Sequence, residues 1–271
     1  ELQRMTSTGG LTLGSSRSGS MTVHGVLHTN SDDIAGTVTL IASKADQTVT
    51  FATTSSTFHA LAVQAHNGII AQTSVSTTTG TSYMDADVGS TDSHLTIATG
   101  KTLYSADLLT LATGVTGIIE AAGSATLSAK NGIMIHDTFT SAVDGSNPIV
   151  MNADSDSDAS TAQQHGVLTI VTGKTLTSNN NAVVITAYDV DLLGSIGSGT
   201  AAVTIHGSKL AQTIGLGATA KDMHLTAAEL QRMTSAGGLT LGSSSSGDMT
   251  VRGVVDTVGD ATNTVTLVAT Q

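Results

Sequence analysis

"ELQRMTSTGGLTLGSSRSGSMTVHGV", Glu1–Val26, returns near the other end of the chain as "ELQRMTSAGGLTLGSSSSGDMTVRGV", Glu229–Val254, at a constant difference of 228 in residue number. After one deletion, "TVTLIAS" at Thr37–Ser43 also returns as "TVTLVAT" at Thr264–Thr270. A near-identical period of this length is the signature of a tandem-repeat architecture. The two copies therefore guide the interpretation of the sequence that lies between them.

This period organises the chain into one unit, residues 1–228, and the start of the next, residues 229–271. A weaker duplication lies inside the unit, because "HNGII", "MDAD" and "LTIATGKTL" recur as "KNGIM", "MNAD" and "LTIVTGKTL" at sequence offsets of 64, 67 and 73. Drifting offsets are typical of stacked layers that contact only their neighbours and tolerate loop insertions. The sequence predicts a single continuous solenoid over residues 1–271.

Composition favours strands over helices. Hydrophobic residues make up 39% of the chain and charged residues only 11%, while Ser and Thr together exceed a quarter of it. This hydrophobic content argues against disorder. Val, Ile and Thr favour strands, and the usual helix-surface residues are scarce. We therefore expect an all-β protein whose surface is covered largely by Ser and Thr hydroxyl groups.

Short apolar bursts alternate with hydroxylic residues about every ten positions and are bounded by Gly, Ser, Asn and Asp, which favour turns. A sandwich, a barrel or a solenoid could produce such bursts, but the long near-identical period favours the solenoid. The predicted fold is a parallel β-helix with coils of about 20–24 residues and inward ladders of Val, Ile, Leu and Ala. At this coil length, one unit would contain about ten to eleven coils. With a spacing of about 4.8 Å per coil, the unit would rise on the order of 50 Å along the axis.

Charge and cysteine content exclude several classes of function. The net charge is −11 and the ten basic residues form no run, so we expect no nucleic-acid partner. The absence of Cys excludes a disulfide framework and thiol catalysis. No apolar run reaches the roughly 18 residues that a membrane-spanning helix needs, so none is predicted.

The acidic stretch "NADSDSDAS" is the one candidate metal site. Asp154, Asp156 and Asp158 alternate along it and could supply oxygen ligands to Ca²⁺. An EF-hand loop is excluded, because Ala159 replaces its required Gly and His165 stands at the position of its bidentate Glu. A solvated acidic loop and a calcium-ordered loop both remain open, and no other cofactor is predicted.

"TGKT" occurs twice, at Thr99–Thr102 and Thr172–Thr175, and invites a phosphate-loop interpretation. That loop requires a Gly where this chain has Leu95 and Leu168, so we predict turns between solenoid strands instead. No G-x-S-x-G nucleophile motif occurs, and the nine His residues show no metal-ligand spacing. The sequence therefore predicts no catalytic residues and a protein that is not an enzyme.

The segment Thr213–Val254 carries a family resemblance. Its order of phrases, "IGLG", "LTAAEL", "GGLTLGSS" and "SGDMTVRGV", resembles the repeats of filamentous-haemagglutinin-like adhesins, which are large secreted β-helical surface proteins. The resemblance implies a right-handed β-helix, an extracellular or cell-surface location, and a role in a filament or adhesin. Within this segment, Thr226 and Glu229 predict a capping box before a short helical stretch at Leu230–Met233.

These observations predict a structural segment of a long extracellular β-helical fibre, such as a filament shaft, an adhesin stalk or a surface appendage. The expected partners are further copies of the repeat, joined covalently or end to end, with other filament chains or surface glycans in addition. A carbohydrate-active β-helix enzyme, of lyase or hydrolase type, is the catalytic alternative. A Thr-rich surface-binding module is the third possibility, and regular outward T-x-T arrays would favour it.

Overall fold

The chain folds into a β-solenoid of about ten coils built almost entirely from short parallel strands. The only α-helix in the described part of the chain is Ala227–Leu230, and two short 3-10 helices span Leu2–Arg4 and His28–Asn30. The predicted all-β parallel solenoid is therefore confirmed. The computed structural model describes residues 2–31, 33–89, 92–157, 166–255 and 264–271.

Each regular coil contributes one strand to each of three parallel sheets, so that the solenoid has three faces. The first sheet contains β1 (Leu11–Ser15), β3 (Thr37–Ala42), β6 (Ala60–Ala65), β9 (Ser82–Asp85), β12 (Leu109–Ala112), β15 (Ile133–Ile135), β18 (Val167–Ile170) and β21 (Asp189–Leu192). The second contains β2 (Met21–His24), β4 (Val49–Ala52), β7 (Ile69–Ala71), β10 (His94–Ile97), β13 (Ile118–Ala121), β16 (Thr138–Ser141), β19 (Thr175–Thr177), β22 (Ser195–Gly197) and β26 (Met233–Thr234). The third contains β5 (Ser56–Phe58), β8 (Val75–Thr77), β11 (Lys101–Ser105), β14 (Ala125–Ala129), β17 (Ile149–Asn152), β20 (Val183–Ala187), β23 (Val203–Gly207), β27 (Leu239–Ser243) and β29 (Val265–Ala269).

The core is a set of apolar columns that run along the solenoid axis. Strand alternation turns every second side chain inward, and the in-register parallel pairing places inward residues of successive coils directly above one another. In the third sheet one such column is completely buried and consists of Leu103, Leu127, Met151, Ile185 and Ile205. Burying a side chain of this size contributes about 1.5–3 kcal/mol, so the predicted ladders supply most of the stabilisation.

The core also accepts aromatic rings. All three Phe residues of the chain, Phe51, Phe58 and Phe139, are buried. Phe51 has Ala71 as its partner in the next coil, so a small side chain leaves room for the ring. A small side chain in one coil thus compensates for a large ring in the neighbouring coil, so the core is not restricted to compact side chains.

Buried hydroxyl groups form many of the corners. Ser198 and Ser235 are 0% and 1% exposed, and each donates its hydroxyl to the carbonyl three residues later, at 2.7 and 2.8 Å. Ser7 makes the same bond to Gly10 in the first copy of the repeated phrase, at 2.7 Å. A hydroxyl that satisfies a turn carbonyl in this way avoids the cost of an unpaired buried polar group. Part of the Ser and Thr content thus serves the interior rather than the solvated surface.

Coil length varies more than the sequence pattern suggested. Thr57 pairs with Ser76 at a sequence offset of 19, whereas Phe139 pairs with Leu176 at an offset of 37. Loop insertions at the corners lengthen individual coils without disturbing the ladders. From β1 to its second copy β27, the chain makes eight and two-thirds coils. The prediction of ten to eleven coils per unit is therefore wrong, and the rise per unit is about 42 Å at about 4.8 Å per coil.

Near the carboxyl end the first face changes its construction. A fourth sheet has the order β25 (Met223–Leu225), β24 (Gln212–Gly217) and β28 (Ser246–Arg252). Ile214 pairs with Met223, only nine residues later, and β25 also packs against β21. The strand β25 therefore lies between β21 and β24, so that the stacking order here departs from the chain order.

Candidate functional site

The junction segment, residues 223–232, occupies the boundary between one repeat unit and the next. Its short helix α1 (Ala227–Leu230) begins with the predicted capping box, because the Thr226 side chain accepts the Glu229 amide at 3.2 Å and a Glu229 carboxylate oxygen accepts the Thr226 amide at 2.8 Å. The capping box is confirmed. The helix starts one residue after Thr226 and ends at Leu230, so the predicted helical stretch Leu230–Met233 lies three residues too late.

Glu229 also holds the junction segment against the coil beneath it. Its second carboxylate oxygen, Oε1, accepts the backbone N–H of Leu192 at 3.0 Å, and the Arg232 guanidinium donates to the Leu192 carbonyl at 2.9 Å. The Glu229 side chain is buried, with 8% of the residue exposed. Such a carboxylate is tolerated only when hydrogen bonds satisfy it, and bonds to a charged group are about twice as strong as neutral ones. The "ELQR" part of the repeated phrase thus clamps both backbone groups of Leu192.

A second carboxylate bridges the same boundary. Asp189 Oδ1, on β21, accepts the backbone N–H groups of His224 and Val190, each at 2.9 Å. Burial raises the pKa of Asp189, the two backbone N–H groups lower it in part, and the nearby Glu229 carboxylate raises it further. Because β21 and β25 belong to different sheets, side-chain bonds replace the regular backbone ladder at this level.

The second copy of the repeated phrase continues the solenoid beyond this boundary. Leu239 of β27 pairs with Val203 of β23 on one side and with Val265 of β29 on the other. The first copy makes the same onward pairing, because Leu11 pairs with Val38. The copies nevertheless lie on different faces, since β1 belongs to the first sheet and β27 to the third.

Two of the three predicted calcium ligands, Asp154 and Asp156, have different partners. Asp154 is 2% exposed and its Oδ2 accepts the Ser208 hydroxyl from two coils away. Asp156 is exposed and lies 4.0 Å from the Lys130 ammonium group. Asp158, the third predicted ligand, lies outside the described residues.

Electrostatics at this corner follow from that burial. Burial raises the pKa of Asp154, the Ser208 hydrogen bond lowers it in part, and the Asp156 charge raises it again. Within the described ranges, no group of three or more His, Asp or Glu side chains is arranged to hold a metal ion. The calcium site therefore stays a prediction that depends on Asp158 as well.

A polar groove along the corner after the first sheet is the strongest enzyme-like feature. It has a volume of about 500 Å³ and gathers side chains from four successive coils. Lys174 Nζ lies 2.5 Å from Asp137 Oδ1, and Asp137 Oδ2 accepts the Thr113 amide at 2.7 Å. The groove is lined by Tyr83, Asp85, Asp87, Ala112, Gly114, Val115, His136, Asp137 and Lys174.

Two of the remaining groove residues are paired with each other. The Tyr83 hydroxyl donates to Asp85 Oδ2 at 3.2 Å, and burial together with the Asp85 charge raises the pKa of Tyr83. Glycoside cleavage needs two carboxyl groups on either side of a sugar bond. The groove is lined by three Asp residues, of which Asp137 pairs with Lys174 and Asp85 accepts the Tyr83 hydroxyl.

Sequence reasoning missed this groove because its residues are far apart in the chain. Asp87 and Asp137 each come two residues after the end of a first-sheet strand, β9 and β15. Strand ends of the same sheet stack at one corner in a solenoid, so a correct coil alignment would have brought these positions together. The drifting coil length hid that alignment.

Comparisons with known proteins give no match, whether the chain is searched against protein-family models, curated proteins or solved structures. The resemblance to haemagglutinin-like repeats therefore stays a prediction from the quoted phrases. Among the described residues, no helix has the length and apolar character needed to cross a membrane.

Proposed function

We propose that the chain is a structural, non-catalytic segment of a long extracellular β-helical fibre, serving as a filament shaft, an adhesin stalk or a surface appendage. The observation that carries this proposal is the unbroken passage of the third sheet through the repeat boundary, from β23 to β27 to β29. A new unit therefore extends the existing core instead of starting a separate one. Length and stiffness are the properties that such a construction supplies.

The proposed partners are further copies of the repeat, joined covalently or end to end, with filament chains or surface glycans in addition. Support comes from the onward pairing of the repeated phrase, which is the same in both copies, since Leu11 opposes Val38 and Leu239 opposes Val265. Successive copies therefore use one stacking register, which suits the addition of further copies. The extracellular or cell-surface location rests on the resemblance to secreted adhesin repeats.

Electron microscopy of tandem arrays tests the fibre proposal. Arrays of one, two and three units, each followed by residues 229–271, should form straight rods that lengthen by about 42 Å per added unit, at about 4.8 Å per coil. The control is an array of the same composition in which the junction segment is moved from the repeat boundary to the middle of a coil. Arrays that form separate globules, or whose length does not grow with unit number, would contradict the proposal.

The polar groove favours a carbohydrate-active enzyme as the second candidate function. Product release from a panel of acidic and neutral polysaccharides would test it, with Asp137→Asn and Lys174→Met as the variants that remove the central ion pair. Activity in the parent chain that both variants abolish would establish catalysis and overturn the non-catalytic assignment. The variant Lys130→Met, outside the groove, controls for general effects of charge removal.

The outward rows do not favour the Thr-rich binding module. In the second sheet, one outward row consists mostly of Thr but is interrupted by Ile70, Glu120 and Gly197. A surface that binds an extended lattice needs regular spacing of its hydroxyl groups over many coils. These interruptions leave only short T-x-T runs, such as Thr138–Thr140 and Thr175–Thr177 in two adjacent coils.

A further inference from the structure

The repeated phrase changes face when it recurs. Its first copy places "LTLGS" in the first sheet, as β1, and its second copy places the same residues in the third sheet, as β27. The pairing of each copy with the following strand is nevertheless identical, since Leu11 opposes Val38 and Leu239 opposes Val265. The phrase therefore specifies its neighbours in the stack and leaves the face unspecified.

The shorter internal duplications shift in the same direction. "NGII" contributes to β7 in the second sheet, and its counterpart "NGIM" contributes to β15 in the first. "MDAD" and "MNAD" contribute to β9 in the first sheet and β17 in the third. "LTIATG" and "LTIVTG" contribute to β10 in the second sheet and β18 in the first. The long repeat and the internal duplication thus both move by one face in the same sense.

The change of face is possible because one local sequence can form corners between different pairs of sheets. The two "TGKT" turns are confirmed as turns between strands, and they have the same geometry, with Lys101 N bonded to Ala98 O at 3.1 Å and Lys174 N bonded to Val171 O at 3.2 Å. The first joins the second sheet to the third, and the other joins the first sheet to the second. One local sequence can therefore build different corners, because the turn depends on its own backbone bonds.

We infer that successive repeat units are related by a screw, in which each unit is rotated by one face, a third of a turn, and raised by about 42 Å. This inference rests on the proposed fibre. A given side chain then recurs in three directions around the shaft and returns to the same face only after three units. That distance corresponds to 26 coils and about 125 Å at about 4.8 Å per coil.

The screw determines which partners the surface fits. The polar groove of each unit faces a different side of the shaft from the groove of the next unit. A partner that lies flat along one side meets the groove once in three units, whereas filaments or ligands arranged around the shaft meet it at every unit. The surface is therefore suited to contacts on all sides, with three-unit spacing along each side.

Pairs of introduced cysteines test the rotation in the existing chain, which contains no native Cys. With the rotation, Thr204 and Thr240 lie opposite each other in the third sheet. Without it, the second copy would continue the first sheet and Thr240 would oppose Asp191 of β21. Spin labels on Thr204→Cys with Thr240→Cys should couple strongly, and labels on Asp191→Cys with Thr240→Cys should couple much more weakly.

Two further pairs serve as matched controls. Thr12 opposes Thr39 and Thr240 opposes Thr266 in the two copies, so double Cys variants at these sites should couple strongly with or without the rotation. Strong coupling in the Asp191 pair together with weak coupling in the Thr204 pair would overturn the screw.

Helical reconstruction of the three-unit array distinguishes failure of the screw from failure of the fibre. The expected result is a rotation of about 120° with a rise of about 42 Å per unit. A straight shaft without rotation would overturn the screw and leave the proposed function intact. If no shaft forms, the proposed function fails, and the spin-label result still decides the rotation within the chain.

Discussion

The two copies of the repeated phrase have nearly the same sequence and different degrees of burial. In β1, Leu11 and Leu13 are only partly buried, whereas their counterparts Leu239 and Leu241 in β27 are 4% and 1% exposed. Within this chain β1 has one neighbouring strand, β3, and β27 has two, β23 and β29. Burial in a solenoid is therefore a property of the stack, and the same residues contribute different stability according to their neighbours.

Truncation of one leucine in each copy should give the largest difference between them. Leu241→Ala is expected to cost about 2–5 kcal/mol, because it leaves a cavity between two coils that cannot close. Leu13→Ala should cost less than half as much, since the half-buried side chain faces a coil on one side only. Urea unfolding of both variants measures the two losses, and equal losses would contradict the neighbour dependence.

Glycine replacement should instead affect the two copies equally. Gly14 and Gly242 have φ values of +97° and +83°, and a Cβ would lie 2.0 Å from Ile41 O and 2.1 Å from Val268 O. Gly14→Ala and Gly242→Ala should each cost roughly 2 kcal/mol or more, from the left-handed backbone and the clash together. Thermal unfolding measures both. The control is Gly9→Ala, whose Cβ meets no atom within 4 Å and whose loss should be small.

The charged side chains of Glu229 and Arg232 clamp the Leu192 backbone at the second copy, so replacing them should lower stability more than replacing their counterparts in the first copy. Glu229→Gln places an amide N–H₂ where one of two accepting oxygens stands, so we expect a loss of about 1–3 kcal/mol. Arg232→Ala removes the bond to the Leu192 carbonyl and should cost less. Its matched control in the first copy is Arg4→Ala, at an exposed position, with little change expected in the unfolding temperature. A loss for Arg4→Ala as large as that for Arg232→Ala would show that the clamp is not what distinguishes the copies.

The pH dependence should show the smallest effect, and it involves Asp189, which bridges the repeat boundary beside the second copy. Burial raises the pKa of Asp189 above its ordinary 3.8. Protonated Asp189 thus makes a favourable contribution to the stability of the folded state. This contribution is fully present below pH 3.8 and is lost as the pH rises through the raised pKa. Asp189→Asn keeps an oxygen for the His224 amide and lacks this titration.

Thermal unfolding between pH 3 and 7 compares this variant with the parent chain. The stability of Asp189→Asn relative to the parent should increase with pH across this interval. Parallel profiles for the two chains would remove Asp189 as the source of the dependence.

Local rules predicted the parts of the fold that depend on adjacent residues. Thr226 and Glu229 formed the expected capping box, and Gly100 and Gly173 formed the expected turns, because a few neighbouring backbone bonds decide each of them. Coil number was wrong because insertions at the corners change coil length without changing the alternating strands. The pairing of Ile133 with Leu168, at a sequence offset of 35, shows the size of this effect.

The candidate sites depend on registration between coils, which the local pattern does not contain. Asp137 and Lys174 are far apart in sequence, at an offset of 37, and form an ion pair across one coil. Asp154 and Asp156 are two residues apart and have different partners, Ser208 and Lys130. Proximity in sequence and proximity in space thus diverge at both sites, for the same reason that the rotation of the copies escaped the sequence pattern.

The exchanged order of β24 and β25 has a mechanical consequence. A chain pulled from its carboxyl end would release most strands by peeling, outermost coil first. At β25 peeling cannot continue, because this strand lies between β21 and β24 while both remain in place. The strand has to be sheared out, which requires its backbone bonds to β24 and the Asp189 bond to His224 to fail together. Each repeat would thus contain one strand that resists mechanical unfolding. Single-molecule stretching would detect it as one high-force unfolding event per repeat unit.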